Sequence, residues 1–262
     1  LMPTTFSENN RLPKKLKTSD ENFIAYHSTD ISELNNLPGI IFMTGYMSNM
    51  DGSKALAIEE FARERGQSFV RFDYFGHGQS SGNFSDGHIG IWLENAISVL
   101  DQLSEGPQIL VGSSMGGWLM FLAALARPER VAGLVGLAAA PDFTEELLLK
   151  ELTEEQVAEI KVNGQVTVSS EYDDDYIFTK KLIDEGRKYL ILNDRVEINC
   201  PVRLLHGIED VSVPWEFAIK IQEQLISTDV EVILLKNSDH RLSKPNNLVK
   251  LRSVLDEFVN CF

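Results

Sequence analysis

From Gln108 to Leu125 the chain reads Gln-Ile-Leu-Val-Gly-Ser-Ser-Met-Gly-Gly-Trp-Leu-Met-Phe-Leu-Ala-Ala-Leu. An apolar strand-like run turns, within the five residues Gly112–Gly116, into a helical one. A chain holding this segment must place strand, tight turn and helix in direct succession, which commits it to a sheet with helices packed against it. The rest of the sequence repeats that alternation. Strand signals fall at residues 22–27, 39–43, 68–72, 108–112, 131–138, 202–206 and 230–235, several of them apolar throughout, as strands covered on both faces must be. Helical patterns occupy 54–65, 89–103, 115–127, 214–226 and 246–259, with Pro214 placed for a first turn. The expected fold class is α/β: a mostly parallel central sheet with helices on both faces.

Two segments depart from the rhythm. Residues 1–20 read as an N-terminal arm, leaving 21–262 as one domain. From about 142 to 199 no buried strand appears and the composition turns acidic, with 15 acidic against 7 basic residues, or −8 of a total formal charge of −15. This stretch reads as an insertion, either a solvated excursion or a lid over a site. Within it, Thr144 and Thr153 are expected N-caps, residues 165–169 a small strand and 176–185 a helix.

A serine nucleophile must stand clear of its sheet on a strained turn, flanked by residues whose missing Cβ avoids neighbouring strands. Gly112 and Gly116 meet that need around Ser114. The turn also sets Ser114 at a helix N-terminus, where free amides favour a developing oxyanion. Serine needs a base, and the base an orienting acid. Asp210 lies after the strand ending at His206, and His240 after the strand ending at Leu235, so the order along the chain is Ser, Asp, His. All three fall where an open parallel sheet presents its ligands. Among rivals, His27, His77 and His88 read as structural or surface histidines and His206 as a supporting one. Glu209, Asp239, Asp142 and Asp73 compete with Asp210; Asp239 adjoins the histidine, and Asp142 follows the fifth strand. The oxyanion hole is expected from the amide of Met115 and, after Gly45, that of Tyr46, with Met47 second. Met47, Met50, Met115, Trp118 and Trp215 lie near these loops as acyl-pocket candidates or as core.

Composition narrows the partners. With 24 Lys+Arg against 39 Asp+Glu, attraction to nucleic acid or anionic lipid is disfavoured. No apolar run approaches the roughly 20 residues of a membrane span. Cys200 and Cys261 read as reduced thiols, which suits a cytoplasmic or similar compartment. The chemistry calls for no metal and no cofactor, and the oligomeric state is not legible.

Taken together, the Gly-x-Ser-x-Gly elbow, the Asp-x-x-Gly-x-Gly-x-Ser loop at 73–80 and the Gly-x-x-Asp-x-x-Val-Pro loop at 207–214 resemble the α/β-hydrolase fold in its serine-hydrolase group. Thr44-Gly-Tyr-Met-Ser, Phe72-Asp-Tyr, Gly106–Met120 and Ser170-Glu-Tyr-Asp-Asp resemble more narrowly the group of mycophenolic acid acyl-glucuronide esterases and palmitoyl-protein thioesterases with their bacterial relatives. The resemblance implies Ser114 as nucleophile, His240 as base, Asp210 as its orienter, and an acyl-enzyme formed from a small-molecule ester or thioester. Thr44 departs from the pattern, standing where many relatives carry the histidine of a His-Gly oxyanion motif. Alternatives are hydrolysis of a peptide or carbon–carbon bond on the same fold, and a non-catalytic ligand receptor.

Overall fold

The computed structural model describes residues 12–19, 21–29, 37–170 and 174–262. The first part of the expected arm, and residues 171–173 of the acidic tyrosine segment, lie outside the described residues.

Eight strands form one sheet and two form a hairpin. In chain order they are β1 (Lys14–Lys17), β2 (Phe23–Thr29), β3 (Gly39–Met43), β4 (Phe69–Phe72), β5 (Gln108–Ser113), β6 (Val131–Leu137), β7 (Gln165–Val168), β8 (Tyr176–Thr179), β9 (Val202–Gly207) and β10 (Val230–Leu235). The sheet order is β1-β2-β4-β3-β5-β6-β9-β10. From β4 to β10 all neighbours are parallel; β1 and β2 run antiparallel at one end. The helices are α1 (Ser53–Glu64), α2 (Ile89–Leu103), α3 (Met115–Ala126), α4 (Leu149–Glu151), α5 (Glu154–Asn163), α6 (Lys180–Gly186), α7 (Glu216–Gln224) and α8 (Pro245–Val259).

Side chains of the central strands alternate between two buried layers. Ile40, Phe42, Ile109 and Val111 pack with α1 and α8, whereas Ile41, Met43 and Leu110 pack with α2, α3 and α7. This two-sided cover is why the strands carry few polar residues. The chain leaves β3 for β4 on one side and returns through α2 to β5 on the other. The strand order reverses there, and a crevice opens beyond the carboxyl ends of β3 and β5.

Three local expectations change. Lys14–Lys17, expected in the arm, form the sheet's edge strand; lysines on an edge discourage pairing with another chain, and Lys15 lies over the Phe23 ring at 4.2 Å. The helix expected at 176–185 is strand β8 followed by α6, because Tyr-Ile-Phe-Thr pairs with β7 and the Thr179 hydroxyl accepts from the Leu182 amide at 3.0 Å, capping the helix. Thr144 is no N-cap: it opens a π-helical turn, Thr144–Leu148, with its hydroxyl buried and unpartnered among the described residues. Thr153 does form a full capping box with Gln156.

The segment between β6 and β9 holds α4, α5, the β7–β8 hairpin and α6. Its two ends are joined by one carboxylate. Asp142, buried and at φ 58°, accepts from the amides of Ile191 (3.0 and 2.9 Å) and Leu192 (2.7 Å). Burial pushes that carboxyl up, and the amides partly oppose it.

Candidate active site

Ser114 is the N-cap of α3 at φ 54°, ψ −119°, a conformation that costs a non-glycine residue about 1–3 kcal/mol. The surroundings impose it. Its amide donates to Leu137 O at 3.0 Å, and its carbonyl accepts from Gly117 at 2.9 Å and Ala140 at 3.0 Å. A Cβ on Gly112 would strike the backbone of Gly116 and Gly117, and one on Gly116 the carbonyls of Met43 and Thr44. Gly112 is therefore required by the close approach of the start of α3, and Gly116 by the end of β3.

His240 Nε2 lies 3.0 Å from Ser114 Oγ, and its Nδ1 lies 2.7 Å from Asp210 Oδ2. The Asp210 carboxylate is buried and also accepts from the amides of Ser212 (2.9 Å) and Val213 (2.8 Å) through Oδ1. His206 Nε2 sits 3.2 Å from Oδ2 and 2.8 Å from Val213 O. Burial raises the Asp210 carboxyl, but hydrogen bonds from His206 and His240 with the Val213 amide outweigh that and hold it well below the carboxylate range. The acid thus stays ionised and aimed at Nδ1, leaving Nε2 free to take a proton from serine. The histidine loop is pinned at both ends: Lys54 Nζ donates to Arg241 O, and Asn247 Nδ2 donates to Ser238 Oγ at 2.6 Å.

The rival residues have other work. Asp73 accepts from Met50 N at 2.7 Å and Gln79 N at 2.9 Å, tying two loops together. Asp142 closes the insertion. Asp239 faces Lys244 at 3.7 Å rather than the histidine. His27 lies on β2, His88 stands at the N-terminal boundary of α2 without a side-chain cap bond, and Glu209 is exposed.

Beside Ser114, the loop after β3 makes a turn at Gly45–Ser48, closed by Ser48 N to Gly45 O at 3.3 Å. Position 45 faces the Ser114 Cβ closely, at 3.4 Å for a Cβ built there. Among the described residues no acceptor takes the amide of Tyr46 or of Met115. The Met47 amide, the second choice from sequence, donates to His77 Nε2 at 3.2 Å and is occupied.

A pocket of about 700 Å³ opens over Ser114 and His240. The core supplies its floor and the insertion its apolar roof, with Phe143, Leu147, Leu148, Val168, Tyr176 and Phe178. Met47 and Met115 line it, whereas Met50 and Trp118 are fully buried. Two contacts clip roof to floor, both at Ile177 on β8: Tyr46 Oη donates to Ile177 O at 2.5 Å, and Ile177 N lies 3.4 Å from Met47 Sδ. The Tyr46 ring also stacks on Phe178, 5.3 Å between centroids. Sequence reading missed this clip and the Lys54 anchor, since no local motif marks either. Among the described residues no cluster of His, Cys, Asp or Glu is arranged to hold a metal ion, and no helix is long and apolar enough to cross a membrane.

A family model described as alpha/beta hydrolase fold matches residues 38–160. The chain is 44% identical over 227 residues to a protein from Bos taurus named palmitoyl-protein thioesterase ABHD10, mitochondrial, covering 85% of this chain and 73% of that one. The Homo sapiens protein of the same name is 42% identical over 225 residues, with the same coverages. Among solved structures, mouse alpha/beta hydrolase domain-containing protein 10 superposes with a TM-score of 0.86 at 39% identity, covering 95% of this chain and 98% of that one. A hydrolase from Agrobacterium vitis S4 gives 0.88 at 36% identity, covering 95% and 100%. The mammalian names overturn the cytoplasmic expectation and point to mitochondria. Cys200 and Cys261 are not joined in a disulfide among the described residues.

Proposed function

The chain belongs to the α/β-hydrolase family, and from that premise we propose that it is a serine hydrolase of carboxylic esters and thioesters working through an acyl-enzyme. Ser114 attacks the acyl carbonyl while His240 Nε2 takes its proton, and Asp210 orients the ring and balances the imidazolium. The amides of Tyr46 and Met115 receive the oxyanion. His240 then protonates the leaving alcohol or thiol, and water attacks the acyl-enzyme by the same route. The hydrogen-bonded line from Ser114 Oγ through His240 to Asp210 Oδ2 carries the reading. The insertion serves as lid, its apolar residues taking the acyl chain; about 700 Å³ lies within the usual range for a small-molecule site. The thioester in the relatives' names favours acyl thioesters among the substrates. Replacing Ser114 by Ala should remove turnover of p-nitrophenyl esters and acyl thioesters by at least about 10³-fold with the fold intact. Full activity in that variant overturns the reading.

A further inference from the structure

We infer that His77, a residue the triad does not use, is a positioning residue for the oxyanion hole: by accepting from the Met47 amide it holds the turn that presents the Tyr46 amide to Ser114's substrate. The inference rests on the reaction proposed above. Met47 is the third residue of the Gly45–Ser48 turn and sits at φ 52°. A left-handed third residue belongs to a turn whose middle peptide is flipped relative to the common type. That middle peptide joins Tyr46 to Met47, and its N–H is the one His77 takes. Turning it over would withdraw the hydrogen bond from His77 and loosen the turn that carries Tyr46. For a methionine the left-handed conformation is uphill, so something must hold it.

His77 is built to do so. Its Nδ1 lies 3.2 Å from Phe75 O, an acceptor, so Nδ1 carries the proton; its Nε2 lies 3.2 Å from Met47 N, a donor, so Nε2 carries the lone pair. The two contacts select one neutral tautomer. The rings of Tyr74, Phe84 and Trp92 stand edge-on around the imidazole at 5.6, 5.1 and 5.1 Å and pack it on three sides. Burial lowers its pKa to about 4, partly opposed by the contact with Phe75 O, so the lone pair persists at neutral pH. Asp73, on the same loop, takes Met50 N and fixes the far side of the oxyanion loop.

The test compares His77→Phe, His77→Gln and His77→Asn with the parent enzyme for kcat, KM and thermal midpoint on one ester. Phenylalanine keeps the ring packing but offers no acceptor. It should lower kcat 10- to 100-fold with KM within about twofold, short of the 10²–10³ expected when a donor is deleted outright. Glutamine reaches the Met47 amide and should restore most of the loss; asparagine, one methylene shorter, should not. Should the phenylalanine variant not fold, the glutamine-to-asparagine ratio of kcat carries the test, with at least tenfold expected. A kcat unchanged in the phenylalanine variant, or equal in the other two, overturns the inference. If Ser114→Ala silences the enzyme in the same assay, only the role of His77 has failed.

Discussion

The crevice around Ser114 and the insertion that roofs it are held by different physics. The crevice is defined by backbone: an elbow that two glycines allow, a carboxylate fed by two amides, a turn gripped by one neutral imidazole. Each is held by hydrogen bonds to buried main-chain groups. The insertion carries much of its charge in exposed pairs such as Lys180–Asp184 and Arg187–Glu145, worth little in water. It is tied to the core by the Ile177 clip, by Trp118 Nε1 to Tyr189 O at 3.1 Å, Lys220 to Glu146 at 2.7 Å, Lys181 Nζ to Asp86 O at 3.1 Å and Val196 with Gln224 and Ile226, and by packing, since Leu182, Ile183, Leu192 and Val196 belong to the main buried core. The crevice is thus set by main-chain hydrogen bonds, the insertion by packing and paired charges.

That contrast can be broken at several points. The largest effect should come from Asp210→Asn, which keeps shape but removes the charge that orients His240; kcat should drop 10²- to 10⁴-fold with the thermal midpoint little changed. A drop below tenfold would remove Asp210 from the line. Next, Asp142→Ala should cost stability rather than chemistry, on the order of 1–3 kcal/mol for stranding the Ile191 and Leu192 amides; denaturant titration measures it, and kcat in the remaining folded fraction should hold. Tyr46→Phe retains the ring stack and deletes only the bond to Ile177, so KM should rise by about fivefold, or roughly 1 kcal/mol, with kcat falling by no more than the same factor. A kcat loss larger than the KM change would move Tyr46 from roof to reaction.

Acid should act on the crevice before the insertion. With its native pKa near 4 against about 6.5 unfolded, His77 binds more protons in the unfolded chain, so its contribution is fully present above pH 6.5 and declines as pH falls toward 4. The thermal midpoint of the parent protein should therefore fall more steeply over that window than that of His77→Phe. The smallest effect is electrostatic. The insertion's −8 should slow a polyanionic thioester relative to a neutral one at low salt, and the gap should close as ionic strength rises. A preference for the polyanion that ignores salt would leave the insertion's charge without that role.

What the sequence made legible follows the same division. The elbow can be read because strand, glycine, serine, glycine and helix are contiguous, and Asp210 and His240 because each ends a recognisable strand; the structure brings the three side chains together. The loop expected to supply the second oxyanion donor was legible at Gly45, though the engagement of the Met47 amide by His77, 30 residues away, was not. The clip was invisible, since Tyr46 meets Ile177 across 131 residues, and a tyrosine hydroxyl bound to a main-chain carbonyl leaves no pattern. Strand β8 was misread because Tyr176–Thr179 acquires its strand character from pairing with β7, a partner that short periodicity cannot reveal.

One consequence of the clip concerns timing. Tyr46 spans both regions, its amide beside the serine and its hydroxyl on Ile177 O of the roof, so under the reaction proposed above the seating of the insertion and the order of the oxyanion loop are expected to be coupled. A ligand that favours one favours the other by the same factor. On the proposed reaction, an acyl chain that packs against the roof is then expected to steady the Tyr46 amide before its carbonyl reaches Ser114.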